Sequence, residues 1–160
     1  MSVATTWRVR TAGDLDLERI VELWERLVAF HTDLDPRLRM ADDGREHFYD
    51  HLLDALDSPS SRALVVEHDG EVVGFALGHV CLNPPVLAPR RYGLISDAFV
   101  EEDERRRGAG EALFNALLLW FRAVGVQELQ LNAAHLNPIA QSFWRKMGFS
   151  DFLDRLWREV

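Results

Sequence analysis

Three arginines and two glycines within six residues, Arg105-Arg106-Arg107-Gly108-Ala109-Gly110, constrain this chain more than any other stretch. They stand between an apolar strand-like run, residues 94–100, and a helical pattern that begins at Ala109. A strand that turns sharply into a helix leaves the first helical N–H groups without partners, and glycines let the bare backbone approach a ligand closely. The positive end of the helix dipole then favours an anion. A P-loop fits poorly, because Gly110 is followed by Glu111-Ala112 where Lys-Ser/Thr is needed, and Leu113 stands where a dinucleotide fingerprint has its third glycine. The corner reads as a pyrophosphate cradle of another kind.

Around it the periodicity alternates between strand and helix. Trp7 to Thr11 is strand-like, and Gly13-Asp14 breaks the chain before Leu17, Ile20, Val21, Trp24, Leu27, Val28 and His31 recur at helical spacing. An acidic stretch with Asp33, Asp35 and Pro36 leads to a second helix carrying Phe48, His51, Leu52, Ala55 and Leu56 on one face. Residues 62–68 and 72–82 are β-rich and separated by Asp69-Gly70, a hairpin signal, so they are expected to pair antiparallel. After the strand ending at Val100, the helix from Ala109 repeats Leu113, Ala116, Leu117, Trp120 and Phe121. Gly125 closes it, residues 126–133 alternate as a fifth strand, and Asn137-Pro138 opens a last helix as N-cap and first-turn proline. The tail, residues 149–160, holds apolar residues in pairs and is expected to return as one or two strands; Met1 to Thr6 is expected to fray.

A chain of 160 residues, 48% hydrophobic and 28% charged, suits one domain over residues 1–160. Its net charge of −8 argues against nucleic acid as a partner and favours cationic small molecules or basic peptides. A single cysteine, Cys81, rules out an internal disulfide framework and a cysteine-based zinc site, and suits a reducing cytoplasm. The longest uncharged helical run is too short to span a bilayer, and the first residues lack the order of a signal peptide, so no membrane association is expected.

The order of elements and two motifs resemble the GNAT superfamily of acyl-CoA-dependent N-acetyltransferases. The motifs are Ala98-Phe99-Val100 followed by Arg105-x-x-Gly108-x-Gly110, and Asn137-Pro138-x-Ala140-x-x-Phe143-Trp144-x-x-Met147-Gly148-Phe149. The resemblance implies an α/β (α+β) fold: a mixed, mainly antiparallel sheet of six to seven strands with about four helices, splayed between the fourth and fifth strands. It implies acetyl-CoA as co-substrate, no metal, and a homodimer through the C-terminal strands. The backbone of Phe99 and Val100 would grip the pantetheine arm, and Arg105, Arg106, Arg107, Gly108, Ala109 and Gly110 the phosphates. Asn132 and Asn137 would border the same site, and His31, Asp33 and Asp35 would wall the acceptor pocket. A free alkylamine is mostly protonated at neutral pH, so transfer calls for a carboxylate to take its proton. Asp97, an acid within an otherwise apolar strand, and Glu101 just beyond it are the candidates. The family often has tyrosine where this chain has Trp144, whose indole is no acid near neutral pH. Tyr92, Cys81 and His135 are alternative acids. A non-catalytic acyl-CoA-binding module is therefore the competing reading.

Overall fold

The computed structural model describes residues 6–160; the expected frayed end lies outside them except for Thr6. Strand β1 (Trp7–Thr11) is followed by a short 3-10 turn and helix α1 (Leu17–Leu34), then helix α2 (Gly44–Asp57). Strands β2 (Ser61–His68), β3 (Glu71–Leu82) and β4 (Arg91–Val100) come next, then helix α3 (Ala109–Ala123), strand β5 (Leu129–Leu131) and helix α4 (Pro138–Lys146). The strands form one sheet in the order β1-β2-β3-β4-β5. All neighbours are antiparallel except β4 and β5, which are parallel.

Alternation along the strands explains the layering. Ala63, Val65, Phe75, Leu77 and Phe99 turn to one face and pack under α1 and α2, with Ile20, Leu23, Phe48 and Leu52. Leu64, Val66, Ala76 and Ile95 turn to the other face, under Leu113, Leu117 and Phe121 of α3. Each such fully buried Phe or Leu side chain stabilises the fold by about 1.5–3 kcal/mol. The β2–β3 hairpin turns at Asp69 (φ 50°) and Gly70 (φ 82°), both left-handed as a tight hairpin turn of this hand requires.

The expected sheet of six to seven strands is corrected to five among the described residues. The missing strands are those expected of the tail, where residues 150–160 are exposed and no strand forms. Phe152-Leu153 and Leu156-Trp157 recur every four residues with charges between them, so neither face of an extended strand there would be apolar.

Candidate active site

A local irregularity in β4 builds the site. The pairing of β3 with β4 shifts between Leu77 and Gly78: Gly78 faces Ile95, Leu77 faces Asp97, and Ser96 is the extra residue of a bulge. Below the bulge, Gly93, Leu94 and Ile95 are paired with Leu129, Gln130 and Leu131 of β5. Above it, among the described residues, β4 pairs with β3 alone. The Glu101 N–H donates to Val73 O at 2.9 Å. Antiparallel alternation then makes Phe99 a hydrogen-bonded partner of Phe75, and turns the N–H and C=O of Ala98 and the N–H of Val100 outward, into the space β5 has left, while the Val100 C=O on that side accepts from Arg105. Of the two expected backbone grips, Val100 faces that space and Phe99 faces β3.

At the top of this edge the chain enters α3. Gly108 has φ 99°, where a side chain is strained, and it caps the helix without a side-chain acceptor. The first helical bond is Ala112 N–H to Gly108 O, 2.9 Å, so the preceding N–H groups have no partner within α3. A Cβ on Gly110 would stand 3.3 Å from the Phe143 ring of α4, which explains a small residue there. The arginines do not act as a block. Arg106 and Arg107 are exposed, and the Arg107 carbonyl accepts from the Trp7 indole N–H at 2.9 Å. Arg105 is turned inward: its Nε–H donates to Val100 O at 2.8 Å, and its guanidinium lies over the rings of Phe99 and Phe30, 5.2 and 5.7 Å from their centres.

The two candidate carboxylates differ. Glu101 Oε1 accepts from Arg19 at 2.6 Å and from Arg26 at 2.7 Å, so it ties β4 to α1. Among the described residues no such cation acts on Asp97. Burial pushes its carboxyl above the usual range, against hydrogen bonds from Ser96 and Trp24 and the nearby imidazoles of His51 and His31. His31, on α1, is lowered by burial and raised by Asp97. The Oδ1 of buried Asn137 accepts the Ala140 N–H at 3.1 Å, so its amide nitrogen faces His31 Nε2 at 3.2 Å. That nitrogen must accept, which puts the His31 proton on Nδ1. Asn137 thus both caps α4 and ties it to α1.

The remaining expected residues are placed as follows. Asp33 is exposed. Asp35 caps the turn Pro36–Leu38 and pairs with Arg37 at 2.6 Å, and that pairing lowers its pKa. Asn132 is exposed just past β5. The Trp144 ring stands edge-on to Phe114, Phe143 and Phe149 and packs on the α3 core. Burial raises the Tyr92 phenol, with Cys81 across the hairpin adding to the shift. Sequence reading missed Ser96 at the bulge, His79 of β3 and Ser61 of β2, which form a hydrogen-bonded line beside Asp97; only the unusual polarity of Ser96-Asp97 within an apolar strand hinted at them. Among the described residues no three His, Cys, Asp or Glu side chains are grouped to hold a metal ion, and no helix is long and apolar enough to cross a membrane.

Comparison with known proteins places this geometry in context. Residues 20–149 match the family model described as the acetyltransferase (GNAT) family. The uncharacterized N-acetyltransferase YhfO of Bacillus subtilis (strain 168) is 27% identical over 145 residues, covering 89% of each chain. Solved structures share the fold, among them the following two. A tetramutant of the BH1408 protein from Bacillus halodurans superposes with a TM-score of 0.83 at 19% identity, covering 96% of this chain and 99% of its own. The aminoglycoside N-acetyltransferase AAC(6')-Iy, in complex with CoA, superposes with a TM-score of 0.75 at 18% identity, covering 100% and 98%.

Proposed function

The chain belongs to the acetyltransferase (GNAT) family, and from that premise we propose that it transfers acetyl from acetyl-CoA to a primary amine by direct attack in a ternary complex. The observation that carries this reading is the open edge of β4, which runs from the shielded Asp97 to the unpartnered N–H groups at the start of α3. An amide-bearing pantetheine arm supplies what such an edge lacks, laid beside Ala98 and Val100 as an added strand. The phosphates then meet the backbone from Gly108 to Gly110, with Arg106 and Arg107 as exposed cations beside them. Arg105 shapes the turn through Val100 O and the Phe99 ring rather than by reaching outward.

Asp97 is the proposed proton acceptor, because Glu101 is already neutralised by two arginines. The amine's electron pair forms the new C–N bond as the C–S bond breaks, and CoA leaves as a thiolate, whose conjugate thiol has a pKa near ~8.5. A leaving group this good does not require tyrosine at the position of Trp144. The backbone N–H groups of β4 polarise the thioester carbonyl. His31, Asn137 and Asn132 border the mouth of the splay in this reading. A net charge of −8 favours a small cationic amine as acceptor. A single cysteine suits a reducing compartment such as the cytoplasm, which this reading takes as its site of action. The exposed Phe152, Leu153, Leu156 and Trp157 support self-association through the tail.

The test is CoA-thiol release across a panel of polyamines, aminoglycosides, amino acids and peptides, beside melting curves with acetyl-CoA, ATP or NAD. At about 100 times its Kd, acetyl-CoA adds roughly 2.7 kcal/mol of stability. A shift specific to acetyl-CoA with turnover of at least one amine is the expected result. A shift without turnover of any amine points instead to an acyl-CoA-binding module, and no shift removes the proposal.

A further inference from the structure

Transfer from an alkylammonium leaves one proton over. One N–H proton ends on the departing thiolate to give CoA-SH, and the other stays on Asp97, which must release it before the next turnover. Asp97 stands under α1 and α2, opposite Leu77, on the face away from the glycine turn. A line of hydrogen-bonding side chains leads from it. Ser96 adjoins Asp97 at the bulge, and its hydroxyl draws the Asp97 carboxyl down against the effect of burial; His79 Nε2 lies 3.1 Å from Ser96 Oγ, which also reaches Leu77 O at 3.5 Å. On the far side of the ring, His79 Nδ1 lies 2.8 Å from Ser61 Oγ. Ser61 is the first residue of β2, half-buried beside the exposed Ser60. The bulge makes the line, since Ser96 is the extra residue that reaches His79 while Asp97 keeps its place in the ladder.

We propose that Ser96, His79 and Ser61 relay the proton from Asp97 to solvent. This rests on the reading of Asp97 as the proton acceptor. Protonated Asp97 donates to Ser96 Oγ, Ser96 passes its own proton to His79 Nε2, His79 passes the Nδ1 proton to Ser61 Oγ, and Ser61 gives its proton to water. Each bond broken is matched by one formed, and one proton enters and one leaves. Every member has to donate and accept together, which a hydroxyl and a neutral imidazole do and an imidazolium does not. Burial and the neighbouring His51 push the His79 imidazole down to about 4, so the ring is neutral at working pH. The groups facing His79 are Ser61 from β2, Ser96 from β4, and His51 from α2, whose ring is 5.2 Å away; His51 and His31 of α1 act on Asp97 in turn.

The experiment compares His79→Ala, Ser96→Ala and Asp97→Asn in CoA-release assays on the best acceptor, with and without added imidazole. For His79→Ala, kcat should fall about tenfold or more while both KM values stay within about twofold. Imidazole should restore it in proportion to concentration, which lost packing alone would not allow. Ser96→Ala removes one oxygen, keeps the fold if His79→Ala does not, and should show the same kcat loss. If Asp97→Asn is inactive while Ser96→Ala and any folded His79→Ala retain the wild-type kcat, or lose it without rescue of His79→Ala, the relay is overturned and the base survives. If Asp97→Asn is as active as the wild type, the base falls and the relay with it.

Discussion

The two halves of β4 belong to one strand and do opposite work. Residues 91–95 are held by β3 on one side and, from Gly93 to Ile95, by β5 on the other, with Gly93 pressed so close to Leu129 and Phe121 that a Cβ would stand 2.6 Å from each. Among the described residues, 96–100 keep one neighbouring strand, carry a bulge, and place a carboxyl beneath two helices without a paired Arg or Lys. The closed half is optimised for packing. The open half keeps unpaired backbone and a poorly solvated acid, which cost stability and remain useful only if a ligand completes the sheet and a reaction uses the acid.

The sharpest way to break this comparison is at Asp97. Asp97→Asn should lower kcat/KM for amine acetylation by about 10²–10⁴-fold, whereas Glu101→Gln, which loosens the tie to Arg19 and Arg26, should change it by less than about tenfold. The same asparagine should raise the melting temperature at neutral pH, by about 2–4 °C for each kcal/mol recovered. The sign follows from the raised pKa of the folded state: Asp97 contributes stability in acid that is lost as pH rises through its folded pKa. The gain of the asparagine variant should therefore vanish at low pH. Activity runs the other way. The carboxyl must be ionised to accept a proton, so kcat/KM should rise with pH through a pKa above the ordinary ~3.9, and the asparagine variant should lose that limb.

Asp16, away from the open half, provides the control. It takes two hydrogen bonds from Arg10, at 2.7 and 2.9 Å, and one from the Gly13 N–H at 2.8 Å, and the Arg10 bonds hold its pKa low. Asp16→Asn should destabilise the fold by about 1.5–3 kcal/mol in chemical denaturation and leave kcat unchanged. Because a lowered pKa contributes stability above the unfolded value, that difference should be lost as pH falls through the folded pKa of Asp16. A smaller effect is expected at the glycine turn. Gly108→Val forces a branched side chain to φ 99°, costing about 1–2 kcal/mol, and calorimetry should find acetyl-CoA bound roughly tenfold more weakly. Arg105→Lys should cost least, about 0.5–1 kcal/mol in thermal unfolding, as the planar contact with Phe99 and Phe30 is lost.

The closed half was the more legible in sequence. Helical spacing from Leu17 to His31 and from Ala109 to Phe121 marks the two faces of the sheet, and Asp69-Gly70 marks the hairpin, because each signal is local. The start of α3 at Ala109 was legible for the same reason, and Asn137 as a helix cap likewise. The open half was not. A bulge at Ser96 leaves no composition signal, and His79, Ser61 and His51 meet Asp97 only once β2, β3, β4 and α2 are assembled. His51 falls by spacing on the apolar face of α2, yet it is exposed and faces His79. The arginine triplet does not reveal its own division in sequence: adjacent residues in a turn point apart, and Arg105 is spent on Val100 O. The apolar pairs of the tail suggest strands, but their four-residue spacing leaves neither face of an extended strand apolar.

Amide hydrogen exchange with and without saturating acetyl-CoA tests the division of β4 most directly. The account predicts new protection in residues 96–100 and at the start of α3, residues 108–112, with residues 91–95 unchanged because β3 and β5 already hold them. Protection confined to other segments, or none in residues 96–100, would contradict it.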